Sequence, residues 1–182
     1  MIKVEKTNFK NLLLFQLEHH EDHRGSYTQL YRADEYQKAI KEHTGHDVLF
    51  VEDDFACSSK NVLRGIHGDD RTWKLVTCLS GKFYIVVVNC DPSSENYEKW
   101  QSFLLTKENG KQLHIPPLHG HAYQVLSDNA VFHYKQLCYY EGMTNQFTHK
   151  WDDPRFKIWW PIKNPIVSQR DELGHVPPNR KK

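Results

Sequence analysis

The feature that most constrains this chain is a rhythm of short β-branched and aromatic runs broken by turn residues. "TWKLVTCL" (72–79) and "KFYIVVVNC" (82–90) flank Ser80-Gly81, which reads as a tight hairpin between two strands. Asn109-Gly110 marks a second turn before "KQLHI", which stops at Pro116-Pro117. "GHAYQVL" and "AVFHYKQLCYY" follow, joined through Ser127-Asp128-Asn129, so four or five antiparallel strands are expected in succession. Such strands each have a face to bury, and two sheets closed around a side-chain-lined interior bury them. The pattern therefore predicts an all-β jelly-roll barrel, whose mouth is a usual place for a small-molecule site.

Helix signals are sparse. "ADEYQKAIKEHTG" (33–45) puts Tyr36, Ala39 and Ile40 on one face, with Asp34 placed to cap the start and Gly45 the end. One short helix is predicted there. From Trp151 onward the chain is proline-rich and reads as an irregular C-terminal segment wrapping the barrel, with Phe156, Ile158, Trp159 and Trp160 expected to be buried. No linker or repeat divides the 182 residues, and one domain spanning 1–182 is the expectation. Sheet edges left open by such a barrel favour a homodimer, an expectation that a one-chain mass in sedimentation at micromolar concentration would remove.

Charge narrows the partners. Lysine plus arginine number 24 against 23 acids, a balance that gives no field for nucleic acid or an anionic membrane. The N-terminal apolar patch is too short for a signal peptide, and no run reaches the length of a membrane helix. Cys57, Cys78, Cys90 and Cys138 form no C-x-x-C pair. A reducing, cytoplasmic location is expected.

Twelve histidines raise the question of a metal. His119 and His121 share a strand face, and His67 with Asp69 and a distant His121 mimics a two-histidine, one-carboxylate triad. H-x-D arises often by chance, and His19, His20, His23, His43, His46, His149 and His175 lie in polar or turn-like segments where solvent exposure accounts for them. Arg24 and Arg64 are each followed by glycine, and arginine grips phosphate oxygens bidentately, so two such sites point to a diphosphate. Bridges from these arginines to Asp22, Asp53 or Asp54 explain the spacing equally well. On the strand around "VFHYKQL", Phe132, Tyr134 and Gln136 share one face. Facing inward, Tyr134 puts a phenol in the same cavity as His67, or packs as an ordinary core tyrosine.

Taken in order, "EDHRGSYTQLY", "SSKNVLRGIH", "GKQLHIPPLHGHAYQVLSD", "VFHYKQLCYY" and "WDDPRFKIWWP" resemble five motifs of the dTDP-4-dehydrorhamnose 3,5-epimerase family across roughly residues 8–175. The resemblance implies a cupin-type jelly roll that uses neither metal nor cofactor and acts on an NDP-4-keto sugar. It places the family's catalytic base on His67, its carboxylate partner on Asp171, the opposing tyrosine on Tyr134 and the lysine near the keto oxygen on Lys74. The diphosphate arginines fall on Arg24 and Arg64, and Gln29, His121 and Tyr140 fall on further substrate positions.

Departures from the pattern cluster in ligand-facing segments. Trp73 stands where glycine is usual in the family, Ser26 replaces a bulky aromatic and Gln29 a usual glutamate. The amides of V-Q-D-N become Glu52 and Asp54. These carboxylates offer acceptors to a guanine, and Gly68 with Ser26 would leave room for a heptose, so the expected substrate is an NDP-4-keto-6-deoxyhexose or NDP-4-keto-heptose, GDP-linked in one version, inverted at C3, C5 or both. A 3,4-ketoisomerase, a metal-dependent cupin oxygenase and a non-catalytic sugar-nucleotide binder are the competing readings.

Overall fold

A computed structural model describes residues 2–176. Two antiparallel sheets face each other. The first holds six strands: β1 (Lys3–Lys6), β2 (Leu13–Gln16), β5 (Glu52–Ser59), β7 (Lys74–Ser80), β10 (Lys111–Ile115) and β12 (Asn129–Gln136), in the order β1-β2-β10-β7-β12-β5. The second holds β6 (Leu63–Gly68), β8 (Lys82–Asn89), β9 (Trp100–Thr106), β11 (His119–Val125) and β13 (Phe147–Thr148), in the order β13-β6-β11-β8-β9. A separate hairpin pairs β3 (His19–Asp22) with β4 (Gly25–Thr28). This is the cupin-like jelly roll.

The strands fall where the sequence puts them, but the pairing differs from the expected run of hairpins. β7 and β8 belong to different sheets, so Ser80-Gly81 is a corner and not a hairpin turn. Asn109-Gly110 and Ser127-Asp128-Asn129 also carry the chain from one sheet to the other. Gly81 (φ +70) sits so close to the Asn129 carbonyl and the Ser127 hydroxyl that a side chain there would collide with them. Strand periodicity states which face is buried; it does not state the partner.

Between the sheets pack Leu12, Val76, Phe83, Ile85, Val87, Leu105, Leu113, Val125 and Phe132. Each fully buried aliphatic or aromatic side chain of this kind contributes about 1.5–3 kcal/mol. A second cluster lies on the outer face of the six-stranded sheet, where α1 (Ala33–Thr44) lays Tyr36 and Ile40 on Leu13, Phe15, Trp73 and Leu75. The helix ends as expected in Gly45 in the left-handed conformation, but its N-cap is Arg32, and Asp34 lies in the first turn with its carboxylate 2.8 Å from Arg32 Nε. Within this cluster His114 is fully buried, stacks on Trp73 (centroids 4.9 Å, 21°) and leaves both ring nitrogens without a hydrogen bond.

The C-terminal segment wraps the barrel and buries Phe156, whose carbonyl accepts from Trp100 Nε1 (2.9 Å). Trp159, expected inside, is 63% exposed and only edges against Tyr84. Regular structure reappears as one turn, α2 (Gln169–Leu173), capped by Ser168 Oγ accepting from the Asp171 amide at 3.2 Å. No helix among the described residues is long and apolar enough to cross a membrane.

Candidate active site

Three parts of the chain enclose a cavity of about 740 Å³. β6 and β11 of one sheet supply Arg64, His67, His121 and Tyr123; β7 and β12 of the other supply Lys74, Phe132 and Tyr134; the strap from Ile166 to Asp171 closes over them. Arg64 and His67 are three residues apart, a spacing that would send them to opposite faces of a regular strand. A bulge resolves this. His67 pairs with His121 and Arg64 with Tyr123, so β6 carries one more residue than β11 between the two pairs. Gly65 (φ +121) occupies the bulge, and a Cβ there would lie 2.4 Å from the His121 carbonyl oxygen and 2.5 Å from Ala122 Cβ. Its missing side chain admits the neighbouring strand.

His67 Nε2 lies 2.6 Å from Asp171 Oδ1, across 104 residues of sequence. The Asp171 side chain is 3% exposed, delivered by the single turn of α2. Burial pulls the His67 pKa below its ordinary value; Asp171 opposes that shift, while Arg170 and Lys74 add to it. With the Nε2 hydrogen committed to the carboxylate, Nδ1 is the lone-pair nitrogen. The imidazole is thus held in one orientation, with Nδ1 turned away from the carboxylate.

Lys74 is buried, with Asp69 Oδ2 3.9 Å from its ammonium, and desolvation pulls its pKa down. His121 lies parallel to the Phe132 ring (centroids 6.3 Å, 2°), is held neutral by burial and by the charge of Lys74, and leaves Nδ1 unpaired. Tyr134 comes from the sheet opposite His67, and burial followed by the Asp54 charge pushes its phenol well above the usual range. Arg64 Nε bonds Ser58 Oγ at 3.1 Å, and no ion pair ties Arg64 to a carboxylate among the described residues. Tyr140 lies at the rim, half exposed.

Other expected site residues lie elsewhere. Arg24 is at the tip of the β3–β4 hairpin, its guanidinium 2.6 Å from Asp22, the bridging arrangement that its sequence spacing left open. Gln29 is exposed beyond β4, near Gln16, His20 and Glu35. Glu52 and Asp54 are not on the cavity wall; both accept from Gln136 Nε2, at 2.8 and 3.1 Å, because their strand pairs edge-on with β12. Nor does Gly68 leave space for a longer sugar, since Phe147 and the His119 carbonyl fill the volume beside it. The His67–Asp69–His121 triad does not assemble either. Asp69 accepts from the backbone amides of Arg71 and Thr72, and no group of three potential metal ligands converges among the described residues.

One residue that spacing did not single out is Arg170. It is buried against the cavity, with Nε on Thr148 Oγ1 (2.9 Å) and a terminal nitrogen on Gln146 Oε1 (3.2 Å). Both partners are neutral, so its charge is felt inside the site. Its adjacency to Asp171 in "SQRDE" was the only signal in the sequence.

A sequence model of the dTDP-4-dehydrorhamnose 3,5-epimerase family matches residues 6–176. The chain belongs to that family. It is 35% identical over 176 residues to the dTDP-4-dehydrorhamnose 3,5-epimerase of Shigella flexneri, covering 95% of this chain and 94% of the relative. A dTDP-4-dehydrorhamnose 3-epimerase of Streptomyces niveus is 29% identical over 154 residues, covering 83% of this chain and 72% of that one. Among solved structures, the Legionella pneumophila dTDP-6-deoxy-D-glucose-3,5-epimerase in complex with dTDP-4-keto-L-rhamnose superposes with a TM-score of 0.88 at 29% identity, covering 97% of this chain and 93% of that one. The protein is an epimerase of nucleotide sugars.

Proposed function

We propose that this epimerase inverts C3, C5 or both in an NDP-4-keto sugar, using His67 as base and Tyr134 as the acid from the opposite wall. The observation that carries this is the placement of an oriented imidazole and a phenol on facing sheets of one cavity. A ketone at C4 acidifies the hydrogens on both neighbouring carbons because the carbanion delocalises onto the carbonyl oxygen. Neutral Nδ1 of His67 takes one of these protons, and Asp171 stabilises the imidazolium that forms. The Lys74 ammonium offsets charge developing on the keto oxygen, an interaction worth about 3 kcal/mol in comparable sites. Protonation from the same face would restore the starting sugar; delivery by Tyr134 from the other face inverts it. Arg64, with no carboxylate holding it, is available for the diphosphate.

The test is incubation with dTDP- and GDP-linked 4-keto hexoses and heptoses in deuterium oxide, read by mass and NMR. The wild-type enzyme is expected to incorporate deuterium at C3 or C5 with inversion, and His67→Asn to incorporate none. Full deuterium uptake by His67→Asn would remove the base assignment. Label moving between C3 and C4 would make the protein a ketoisomerase.

A further inference from the structure

Three consecutive acids, Glu52, Asp53 and Asp54, lie on β5, the outer strand of the six-stranded sheet, in register with β12. Alternation splits them. Asp53 turns to one face, where Lys135 Nζ pairs with it at 2.5 Å and His133 Nε2 lies 2.9 Å away. Glu52 and Asp54 turn to the other face, directly across from Gln136 and Tyr134. There the charge is not met: among the described residues neither carboxylate has an ion pair, and their hydrogen-bond partners are the Gln136 amide and the Tyr140 backbone N–H (3.0 Å to Glu52), while Tyr134 stands directly across from Asp54 in the strand register. Two neighbouring carboxyls with no cation between them favour sharing one proton over carrying two charges.

We propose that Glu52 and Asp54 hold one proton between them and relay it to Tyr134, restoring the phenol after each turnover. The inference rests on the epimerase reading and adds a supply line to its acid. As the Tyr134 O–H bond breaks and the new C–H bond forms, the Asp54 carboxyl gives its hydrogen to the phenolate oxygen. Asp54 is recharged through Glu52, which is partly exposed and takes a proton from water. The proton that His67 abstracted returns to water, so the cycle balances. Both carboxylates act through Tyr134 and are positioning residues in this scheme.

Supporting electrostatics agree. Burial, then Glu52, raises the Asp54 pKa above the ordinary carboxylate value, with Gln136 and Tyr134 pulling the other way. Burial first, then the charges of Asp54, Glu52 and Tyr140, raises the Tyr134 phenol. In the family pattern the corresponding positions are amides, which fill the same space and accept the same hydrogen bonds but carry no transferable proton.

The experiment uses Glu52→Gln and Asp54→Asn, near-isosteric changes, with whichever 4-keto sugar nucleotide the wild type inverts. In deuterium oxide the quantity read is the ratio of deuterium uptake with retained configuration to uptake with inversion. If the relay operates, Asp54→Asn leaves His67-driven uptake in place while inversion falls about tenfold or more, so the ratio rises; Glu52→Gln moves it the same way. Asp54→Asn placed on Tyr134→Phe is then expected to add nothing. An unchanged ratio in Asp54→Asn, equal loss of uptake and inversion in a variant that melts like wild type, or a further drop on the Tyr134→Phe background each overturn the relay. Absence of deuterium uptake by the wild type from every sugar in the panel overturns the epimerase reading instead.

Discussion

At the scale of single residues, the site is shaped by buried cationic side chains whose field reaches the imidazole. Arg170 and Lys74 stay in the cavity with neutral or distant partners, and their field bears on His67. In the proposed mechanism His67 acts as base only when neutral, and burial lowers its pKa from the ordinary 6.5. As pH falls through 6.5, His67 therefore remains unprotonated, and activity is lost only further down. The acid limb of kcat/KM is expected below pH 6.5, and still lower in Asp171→Asn, which loses the one effect that raises it. An acid limb above 6.5 in a pH–rate profile would show that another group titrates. Residue types made much of this legible: Arg64, His67, Lys74, Tyr134 and Asp171 stand in ordered motifs and meet in one cavity. The engagement of Glu52 and Asp54 behind Tyr134 was not legible, because β5 could not be assigned β12 as its neighbour from alternation alone.

At the scale of elements, Trp73 and His114 act as one packed unit behind the six-stranded sheet. The two rings stack beside the cluster that joins the sheet to α1. Trp73→Gly is expected to open a cavity and cost about 3–5 kcal/mol, lowering Tm by about 10 °C for a chain of this length. Adding His114→Trp should recover part of that loss, since it refills the space and removes two ring nitrogens that lack partners. Thermal melts of the three variants check this, and strictly additive losses would refute it. From the sequence Trp73 looked like a ligand-side change, because nothing local marks a position as facing a helix rather than a cavity. α2 was hidden for a related reason: five residues offer no periodicity, and only the Ser168 cap announced it.

At the scale of the whole molecule, strands were readable and their assignment to sheets was not, since a two-residue corner and a two-residue hairpin share the same turn chemistry. The six-stranded sheet ends at β5, which leaves Phe55 69% exposed beside a row of unpaired backbone groups. The β3–β4 hairpin stands off with Tyr27 66% exposed and Arg24 at its tip. Both are surfaces that a second copy would cover, and the expected result of sedimentation is twice the mass of one chain; a one-chain mass at micromolar concentration would refute this. The crossing of the chain between sheets at nearly every connection has its own outcome. His67 and Asp171 lie 104 residues apart, so any fragment that holds both spans strands of both sheets, and Asp171 is the last cavity residue of the strap to be laid down. Turnover is thus a property of the finished barrel alone, and the first moment of activity during refolding dates the closing of the whole structure.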